Sequence, residues 1–465
     1  MNIFASWALA CVFTLGSLGP PQDYVRLARQ FVIELSQRDF ADANKQFDET
    51  VAQALPPKKL EETWDGLLAQ AGAFKEIVRT RTLEVRGYHV VFVTCAFAKT
   101  NLDAKVVFND HGQIGGLYFV PPKSSSPSSD WHAPGYVQPA RFHELSVTVG
   151  NAPWRLPGIL TIPNGPGPFP GIVLVHGSGP SDADETIGTN KPFKDLALGL
   201  ASRGIVVLRY DKRTLVYGAE LVKKVPLFTV LDETIDDART AADLLIHTPE
   251  VNPRQVFLLG HSLGGMLAPR IAVTDPEIAG IIIFAGPSRS IEQSLIEQIE
   301  YLARLSGTSS AATEQQVESV QQTVRQIESP NLKAESIIDF MGRLIPGSYW
   351  LDLRNYHPTE CAAKLSIPIL VLQGGRDYQV SAADFEGWKT ALAGHANVSF
   401  KLYPDLNHLF VPGSSESEPA EYDQIGHVAQ DVIGDISEWI ITKPTTGLRW
   451  RQVDVAQLAS LIAGN

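Results

Sequence analysis

A serine between glycines is the first feature of this sequence that could do chemistry. The segment GHSLGG at 260–265 follows the apolar run RQVFLL and precedes the helix-like stretch MLAPRIAV. It matches the pattern G-x-S-x-G, with Gly260, Ser262 and Gly264 in the defining positions. At a sharp strand-to-helix turn, side chains two positions before and after the serine would collide with the backbone. We interpret Ser262 as a nucleophile; the competing interpretation is a tight turn whose serine only caps a helix.

Two later strand ends carry the acid and the base that such a serine needs. A serine hydroxyl becomes reactive when a base accepts its proton and an acid orients that base. In sites of this kind both follow the serine along the chain, each after a later strand. The run IPILVLQGG ends before Asp377, and the run VSFKLYP ends before His408. We predict a Ser262–Asp377–His408 triad, with Asp405 as the alternative acid; a turn aspartate and a surface-loop histidine are the competing interpretations.

Acyl transfer also needs backbone N–H groups that stabilise the developing oxyanion. Leu263, at the start of the helix after the serine, is one candidate donor. The second should come from the loop HGSGP after the run GIVLVHG, where Ser178 is the candidate and Gly179 the alternative. Ser178 lacks the spacing of a nucleophile elbow, so we assign only its backbone to the site.

Two further polar groups lie near these strand ends. The motif RYDKR, with Asp211, Lys212 and Arg213, follows the strand-like run IVVLRYD. We interpret it as a structural ion pair near the site rather than as a catalytic group. His261 is next to Ser262 in the chain, and we expect its side chain to point away from the serine.

The periodicity of the chain predicts two domains. Residues 22–120 read as helices followed by an antiparallel meander, which is typical of a small α+β domain. A Pro/Ser-rich linker is predicted at 121–137. From 138 to 443, strands alternate with helices, which predicts a mostly parallel sheet with helices on both faces. The tail at 444–465 has no assigned role.

A long insertion interrupts this alternation. Roughly 80 residues separate AGIIIFAG from IPILVLQGG, too many for a simple crossover. Three segments in it read as amphipathic helices, and they predict a helical cap over about 287–350: SIEQSLIEQIEYLARL, TEQQVESVQQTVRQI and AESIIDFMGRLI. Its Glu292, Glu297 and Glu300 could hold a substrate amine, with a solvated helix face as the alternative.

Bulk composition narrows the classes of partner. The 465 residues carry a formal net charge of −12, which argues against a nucleic-acid partner. Hydrophobic content of 44% and charged content of 19% are ordinary for a globular protein. The three cysteines form no disulfide framework and no metal-ligand spacing, and the predicted chemistry needs no cofactor.

The apolar stretch at the N-terminus predicts export. Residues 1–19 read as a signal peptide, although they lack a basic n-region. We therefore expect a periplasmic or extracellular protein. The alternative is an uncleaved membrane anchor, for which this run is at the short end.

Positions from about 140 to 440 resemble the α/β-hydrolase superfamily, because the elbow, HGSGP, GGRDYQV and LNHLF occur in the family's order. The stretch from LVHGSGP to RYDKRT is further similar to bacterial carboxylesterases in which a domain like nuclear transport factor folds precedes the hydrolase. The resemblance implies an α/β-hydrolase fold, a helical cap, the Ser262–Asp377–His408 triad and hydrolysis of small-molecule esters. We expect esters with short to medium acyl chains. Three alternatives remain open: a serine aminopeptidase or amidase, an acyl thioesterase, and an N-terminal domain that serves as a homodimer interface or binding module.

Overall fold

The computed structural model describes most of the chain between residues 23 and 442. Within that span it leaves out five short stretches: 86–87, 110, 121–130, 306–310 and 341–342. The predicted signal peptide at 1–19 and the tail at 444–465 lie outside the described residues. The chain divides into two compact units, Met1–Ser125 and Ser126–Asn465. Within the described part, no helix has both the length and the apolar character needed to cross a membrane.

The N-terminal unit packs helices on an antiparallel sheet, as its periodicity predicts. Its helices are α1 (Tyr24–Ser36), α2 (Phe40–Lys45), α3 (Glu49–Ala54) and α4 (Pro57–Ala71). Its strands, which pair in sequential order, are β1 (Phe74–Val85), β2 (Tyr88–Phe97), β3 (Asn101–Phe108) and β4 (Ile114–Val120). Apolar residues spaced by three and four along α1 are buried in the core: Ala28, Phe31, Val32 and Leu35.

The C-terminal unit is built on an eight-stranded sheet. The strands of this unit are β5 (Phe142–Val149), β6 (Leu156–Pro163), β7 (Phe169–Val175), β8 (Val206–Tyr210), β9 (Val251–His261), β10 (Gly280–Phe284), β11 (Ile337–Phe340), β12 (Arg343–Pro346), β13 (Ile369–Gly374) and β14 (Val398–Tyr403). The main sheet has the order β14-β13-β10-β9-β7-β8-β6-β5. The strands from β14 to β8 run parallel, and the hairpin of β5 and β6 closes the other edge in antiparallel fashion.

Helices cover both faces of this sheet, which confirms the predicted α/β-hydrolase architecture. The helices of this unit are α5 (Pro192–Ala201), α6 (Arg213–Lys224), α7 (Asp236–Ile246), α8 (Leu263–Thr274), α9 (Ile291–Leu305), α10 (Ala311–Glu328), α11 (Gly347–Arg354), α12 (Pro358–Ala362), α13 (Ala382–Ala391) and α14 (Gln430–Thr442). Alternate residues of β7 enter opposite cores: Val173 and Val175 join the cluster that includes α7 and α8, whereas Ile172 and Leu174 join that of α5 and α14. A strand buried on both faces must be apolar throughout, which explains the continuous run GIVLV.

The insertion between β10 and β13 corrects one prediction. Two of its predicted amphipathic segments form α9 and α10. The third, AESIIDFMGRLI, was wrongly predicted as a helix, because it forms the antiparallel pair β11–β12, with Ile338 opposite Ile345. β-branched residues are stiff at χ1 and fit a strand better than a helix, so the isoleucines favour the hairpin.

The end of the predicted linker belongs to the C-terminal unit. Residues 121–130 are not described, but Tyr136 and Val137 are buried in one of the two cores of this unit. The Tyr136 hydroxyl donates to the Val428 carbonyl at 2.8 Å, and Trp131 Nε1 donates to Asp195 at 3.1 Å. These aromatic residues therefore extend the unit to the N-terminal side of position 138.

Candidate active site

Ser262 lies at the turn between β9 and α8, at the carboxyl edge of the parallel strands. Its backbone has φ 53° and ψ −118°, a conformation that residues other than glycine rarely adopt. The Ser262 N–H donates to the Phe284 carbonyl at 2.9 Å, and its own carbonyl accepts from the Met266 N–H at 3.0 Å. The residue is partly exposed, whereas Leu263 beside it is buried. The turn therefore holds the serine in a strained position that a substrate can reach.

The glycines around Ser262 are required by close contacts between backbone segments. A Cβ atom on Gly260 would overlap the Gly264 carbonyl, and one on Gly264 would overlap the Val175 carbonyl of β7. The third glycine, Gly265, is equally constrained, because a Cβ atom there would lie 2.7 Å from the Gly260 oxygen. The G-x-S-x-G pattern covers only the first two of these positions.

Asp377 and His408 meet where the loops after β13 and β14 come together. Asp377 Oδ2 lies 2.7 Å from His408 Nδ1, and its other oxygen accepts the backbone N–H groups of Gln379 and Val380 at 2.8 and 2.9 Å. Both side chains are buried. With Nδ1 held by the carboxylate, Nε2 is the nitrogen that can accept a proton. The alternative acid, Asp405, is exposed and makes no such contact among the described hydrogen bonds.

His261 joins the elbow to the loop that carries His408. His261 Nε2 lies 3.0 Å from the His408 carbonyl oxygen, and the centroids of the two rings are 4.6 Å apart. His261 Nδ1 lies 2.9 Å from Glu185 Oε2, and Glu185 Oε1 accepts the Gly177 N–H at 2.9 Å. One buried acid–histidine pair therefore connects the HGSGP loop, the elbow and the histidine loop.

Sequence reasoning missed Glu185 and assigned no role to His261. The two residues are 76 positions apart, and no spacing rule connects them. The available signal was a histidine beside the elbow serine together with an acid in the loop after β7. These two residues can be recognised as partners only when the pairing of β7 with β9 is known, because that pairing places the loop after β7 next to the elbow.

Glu185 and His261 each stabilise the ionised form of the other. Burial alone would lower the pKa of His261, but the Glu185 carboxylate and the His408 carbonyl raise it above the usual value. Burial alone would raise the pKa of Glu185, but His261, His176 and the Gly177 N–H hold it below the usual value. Both shifts favour the ionised pair in the folded protein.

The HGSGP loop lies against the elbow. A Cβ atom on Gly177 would lie 3.2 Å from the Ser262 Cβ. Because the Gly177 N–H is bound by Glu185, it is not a free donor for a substrate. Ser178 is exposed and Leu263 is buried, and their N–H groups stay the predicted oxyanion donors.

The three cap glutamates differ in their surroundings. Glu297 is bound by Arg289 Nη2 at 2.8 Å and by the Ser381 hydroxyl at 3.1 Å. Glu292 is only 6% exposed, and Glu300 is exposed. A solvated helix face therefore describes only Glu300. Across the described residues, no three His, Cys, Asp or Glu side chains come together as a metal-binding group.

Comparison with known proteins identifies relatives of both units. Residues 172–412 match the family described as serine aminopeptidase, S33, and residues 28–117 match a protein of unknown function, DUF3887. Esterase EstD of Thermotoga maritima is 38% identical over 411 residues, which are 88% of this chain and 94% of the relative. Acyl-coenzyme A amino acid N-acyltransferase 2 of Rattus norvegicus is 30% identical over 170 residues, 36% of this chain and 34% of the relative.

Among solved structures, Est1E from Butyrivibrio proteoclasticus aligns with 64% of this chain and 99% of its own, with 16% identity and a TM-score of 0.42. The likeness of the N-terminal unit to nuclear transport factor folds stays a prediction, since the match over that unit is to a family without a described function.

The contacts of Gly264 predict that alanine is not tolerated there. Gly264→Ala is expected to destabilise the protein by about 1–3 kcal/mol, because the new Cβ atom collides with the carbonyl of a core strand. Gly434→Ala in α14 is the control, since a Cβ atom there meets no atom within 4 Å, and it should stabilise the protein by up to about 1 kcal/mol. Thermal unfolding measures both. Equal melting temperatures for the two variants would contradict the steric account.

The charged Glu185–His261 pair predicts a pH-dependent effect of Glu185→Gln. The lowered pKa of Glu185 stabilises the fold above the usual value of 4.5, and this contribution disappears as pH falls through the folded-state pKa. The raised pKa of His261 stabilises the fold below the usual value of 6.5, and this contribution disappears as pH rises through the folded-state pKa. We therefore expect the largest loss in the free energy of unfolding, up to roughly 3 kcal/mol, between pH 4.5 and pH 6.5, measured as a fall in melting temperature.

The control for this experiment is Glu300→Gln, which changes an exposed glutamate of the cap. It should leave the melting temperature unchanged across the pH range. A loss for Glu185→Gln that is the same at every pH would show that the pair is not ionised in the folded protein.

Proposed function

Because the chain belongs to the α/β-hydrolase superfamily, in the family described as serine aminopeptidase, S33, we propose that it is a serine carboxylesterase acting on small-molecule carboxylic esters. The observation that carries the proposal is the buried Asp377–His408 contact. The strained backbone of Ser262 and the chain order of the three residues support it. The similarity to Esterase EstD over most of both chains supports the ester specificity.

In the proposed first half-reaction, Ser262 Oγ attacks the ester carbonyl carbon while His408 Nε2 accepts the hydroxyl proton. Asp377 holds the imidazole and stabilises the imidazolium that forms. The N–H groups of Leu263 and Ser178 stabilise the oxyanion of the tetrahedral intermediate. The intermediate collapses, the ester C–O bond breaks, and His408 returns the proton to the departing alcohol.

In the proposed second half-reaction, water hydrolyses the acyl-enzyme. His408 accepts a proton from water, and the oxygen attacks the acyl carbon. The bond from that carbon to Ser262 Oγ then breaks, and His408 protonates the serine. The products are a carboxylic acid and regenerated enzyme, and every proton is accounted for by His408. We propose that the substrates are esters with short to medium acyl chains.

A serine aminopeptidase is the second candidate, because the matching family carries that description. Such an enzyme needs a carboxylate that can bind the substrate amine. Glu297 is already bound by Arg289 and Ser381, which argues against it as that group. The acyl thioesterase alternative has support only from the rat N-acyltransferase match, in which this chain covers 34% of the relative.

For the N-terminal unit we propose a separate role as a homodimer interface. This unit closes its own core, and Val78 and Tyr118 of its sheet are 53% and 46% exposed. Deleting residues 22–120 should therefore leave kcat for ester hydrolysis unchanged and reduce the particle from two chains to one, as measured by light scattering. A particle that still holds two chains would reject the interface, and a lost activity would place the unit in the active site.

The proposed triad predicts the behaviour of Ser262→Ala. Its kcat for p-nitrophenyl butyrate should fall by roughly 10⁴–10⁶-fold, and a fluorophosphonate probe should label only the parent protein, at Ser262. The parent should hydrolyse this ester faster than amino-acid arylamides, whereas an aminopeptidase would show the reverse order. Ser319→Ala on the exposed surface of α10 is the control and should behave as the parent. Parent-level hydrolysis by Ser262→Ala, or labelling at another residue, would disprove the assignment.

A further inference from the structure

Gly177, in the HGSGP loop, is held from two sides by buried charged groups. The Lys212 ammonium donates to the Gly177 carbonyl at 2.7 Å, and Glu185 accepts the Gly177 N–H at 2.9 Å. Lys212 and Glu185 are each 2% exposed. Hydrogen bonds to ionised groups are about twice as strong as neutral ones, so they can fix a backbone that glycine alone would leave mobile.

The contact with Lys212 sets the direction of the next N–H group. The Gly177 carbonyl and the Ser178 N–H belong to one peptide unit, which is planar and trans. In such a unit the C=O and the N–H point in opposite directions. Holding the Gly177 oxygen on Lys212 therefore directs the Ser178 N–H away from Lys212. This N–H is the proposed second oxyanion donor.

Lys212 is itself positioned by a buried network. Its ammonium lies 2.7 Å from Glu233 Oε1, and the Tyr349 hydroxyl of α11 donates to Glu233 Oε2 at 2.7 Å. The Lys212 backbone N–H also donates to the Ser181 carbonyl at 2.9 Å. Side chain and backbone of Lys212 thus both contact the loop that begins with HGSGP.

The neighbouring residue Arg213 provides a contrast. It forms an equally buried ion pair with Asp237, in which Arg213 Nε donates at 2.9 Å. Among the hydrogen bonds of the described residues, none joins Arg213 to the HGSGP loop. A buried ion pair after β8 therefore need not contact the HGSGP loop. The contact of Lys212 with Gly177 is an additional feature that the Arg213–Asp237 pair lacks.

We propose that Lys212 is a positioning residue for the oxyanion hole. Its ammonium holds the Gly177–Ser178 peptide unit in the orientation in which the Ser178 N–H faces the oxyanion, and Glu233 holds the ammonium in place. This role rests on the proposed esterase function. Without Lys212, the peptide unit between Gly177 and Ser178 can rotate, and the oxyanion loses one donor.

The test is the double variant Lys212→Met/Glu233→Gln. It removes both charges together, so neither is left buried and unpaired. For p-nitrophenyl butyrate, kcat should fall about tenfold to hundredfold, approaching the effect of losing an oxyanion donor, while KM changes by less than about threefold. The inhibition constant of phenylboronic acid, whose tetrahedral serine adduct places an oxygen in the oxyanion hole, should rise by the same factor as kcat falls.

The matched control is Arg213→Met/Asp237→Asn, which removes the adjacent buried ion pair. Its kcat and its boronate inhibition constant should stay within about threefold of the parent. Glu233→Gln alone keeps Lys212 and weakens its support, and its kcat should fall roughly threefold to tenfold with an unchanged KM. This isosteric variant decides the question if the double variant does not fold, because glutamine keeps the size of the side chain and an oxygen that can accept from Lys212.

Three results would overturn the inference. The first is a kcat for the Lys212 double variant no lower than that of the Arg213 control, and the second is an unchanged kcat for Glu233→Gln. The third is a loss of kcat without a matching loss of boronate affinity.

Failure of the proposed function is recognised separately, because Ser262→Ala would then keep the parent activity. If Ser262→Ala is inactive and the Lys212 variants behave as the control, only the role of Lys212 is wrong.

Discussion

The strained backbone of Ser262 is the constraint on which the candidate active site depends. A residue other than glycine at φ 53° costs about 1–3 kcal/mol, so the surrounding structure must hold it there. The close approach of α8 to β7 does so, and it is feasible only because Gly260 and Gly264 carry no side chains. The same approach brings the HGSGP loop against the serine. The packing at the elbow therefore also determines where the HGSGP loop can lie.

Buried ion pairs arrange the loops around this elbow. These pairs involve residues at or after the carboxyl ends of the strands. Glu185 with His261, and Lys212 with Glu233, link these loops through their backbone and side chains. A buried pair adds little net stability compared with an apolar substitute, but it specifies geometry because an unpaired partner is costly. Such pairs suit a site whose donors must keep one orientation.

Local patterns predicted much of the fold and the residues of the elbow. The apolar run of β7, the alternation of strands and helices, and the chain order of Ser262, Asp377 and His408 are all visible in short windows. The cap hairpin β11–β12 was missed because a short apolar segment satisfies both helical and strand periodicity. Glu185 was missed because its partner His261 is 76 positions away, and only the strand order brings the two together. Glu233 was missed because no spacing rule links it to Lys212. Prediction therefore failed where a residue's role depends on a contact rather than on its own pattern.

The cap and the HGSGP loop are linked by one hydrogen-bonded network. Tyr349 lies on α11, which follows the cap hairpin, and its hydroxyl bonds to Glu233, which in turn holds Lys212 against Gly177. The hairpin also reaches the loop, because a Cβ atom on Gly179 would lie 2.5 Å from the Arg343 guanidinium. The inserted segment is therefore linked through one buried tyrosine hydroxyl to the Gly177–Ser178 peptide unit, whose N–H we propose as an oxyanion donor.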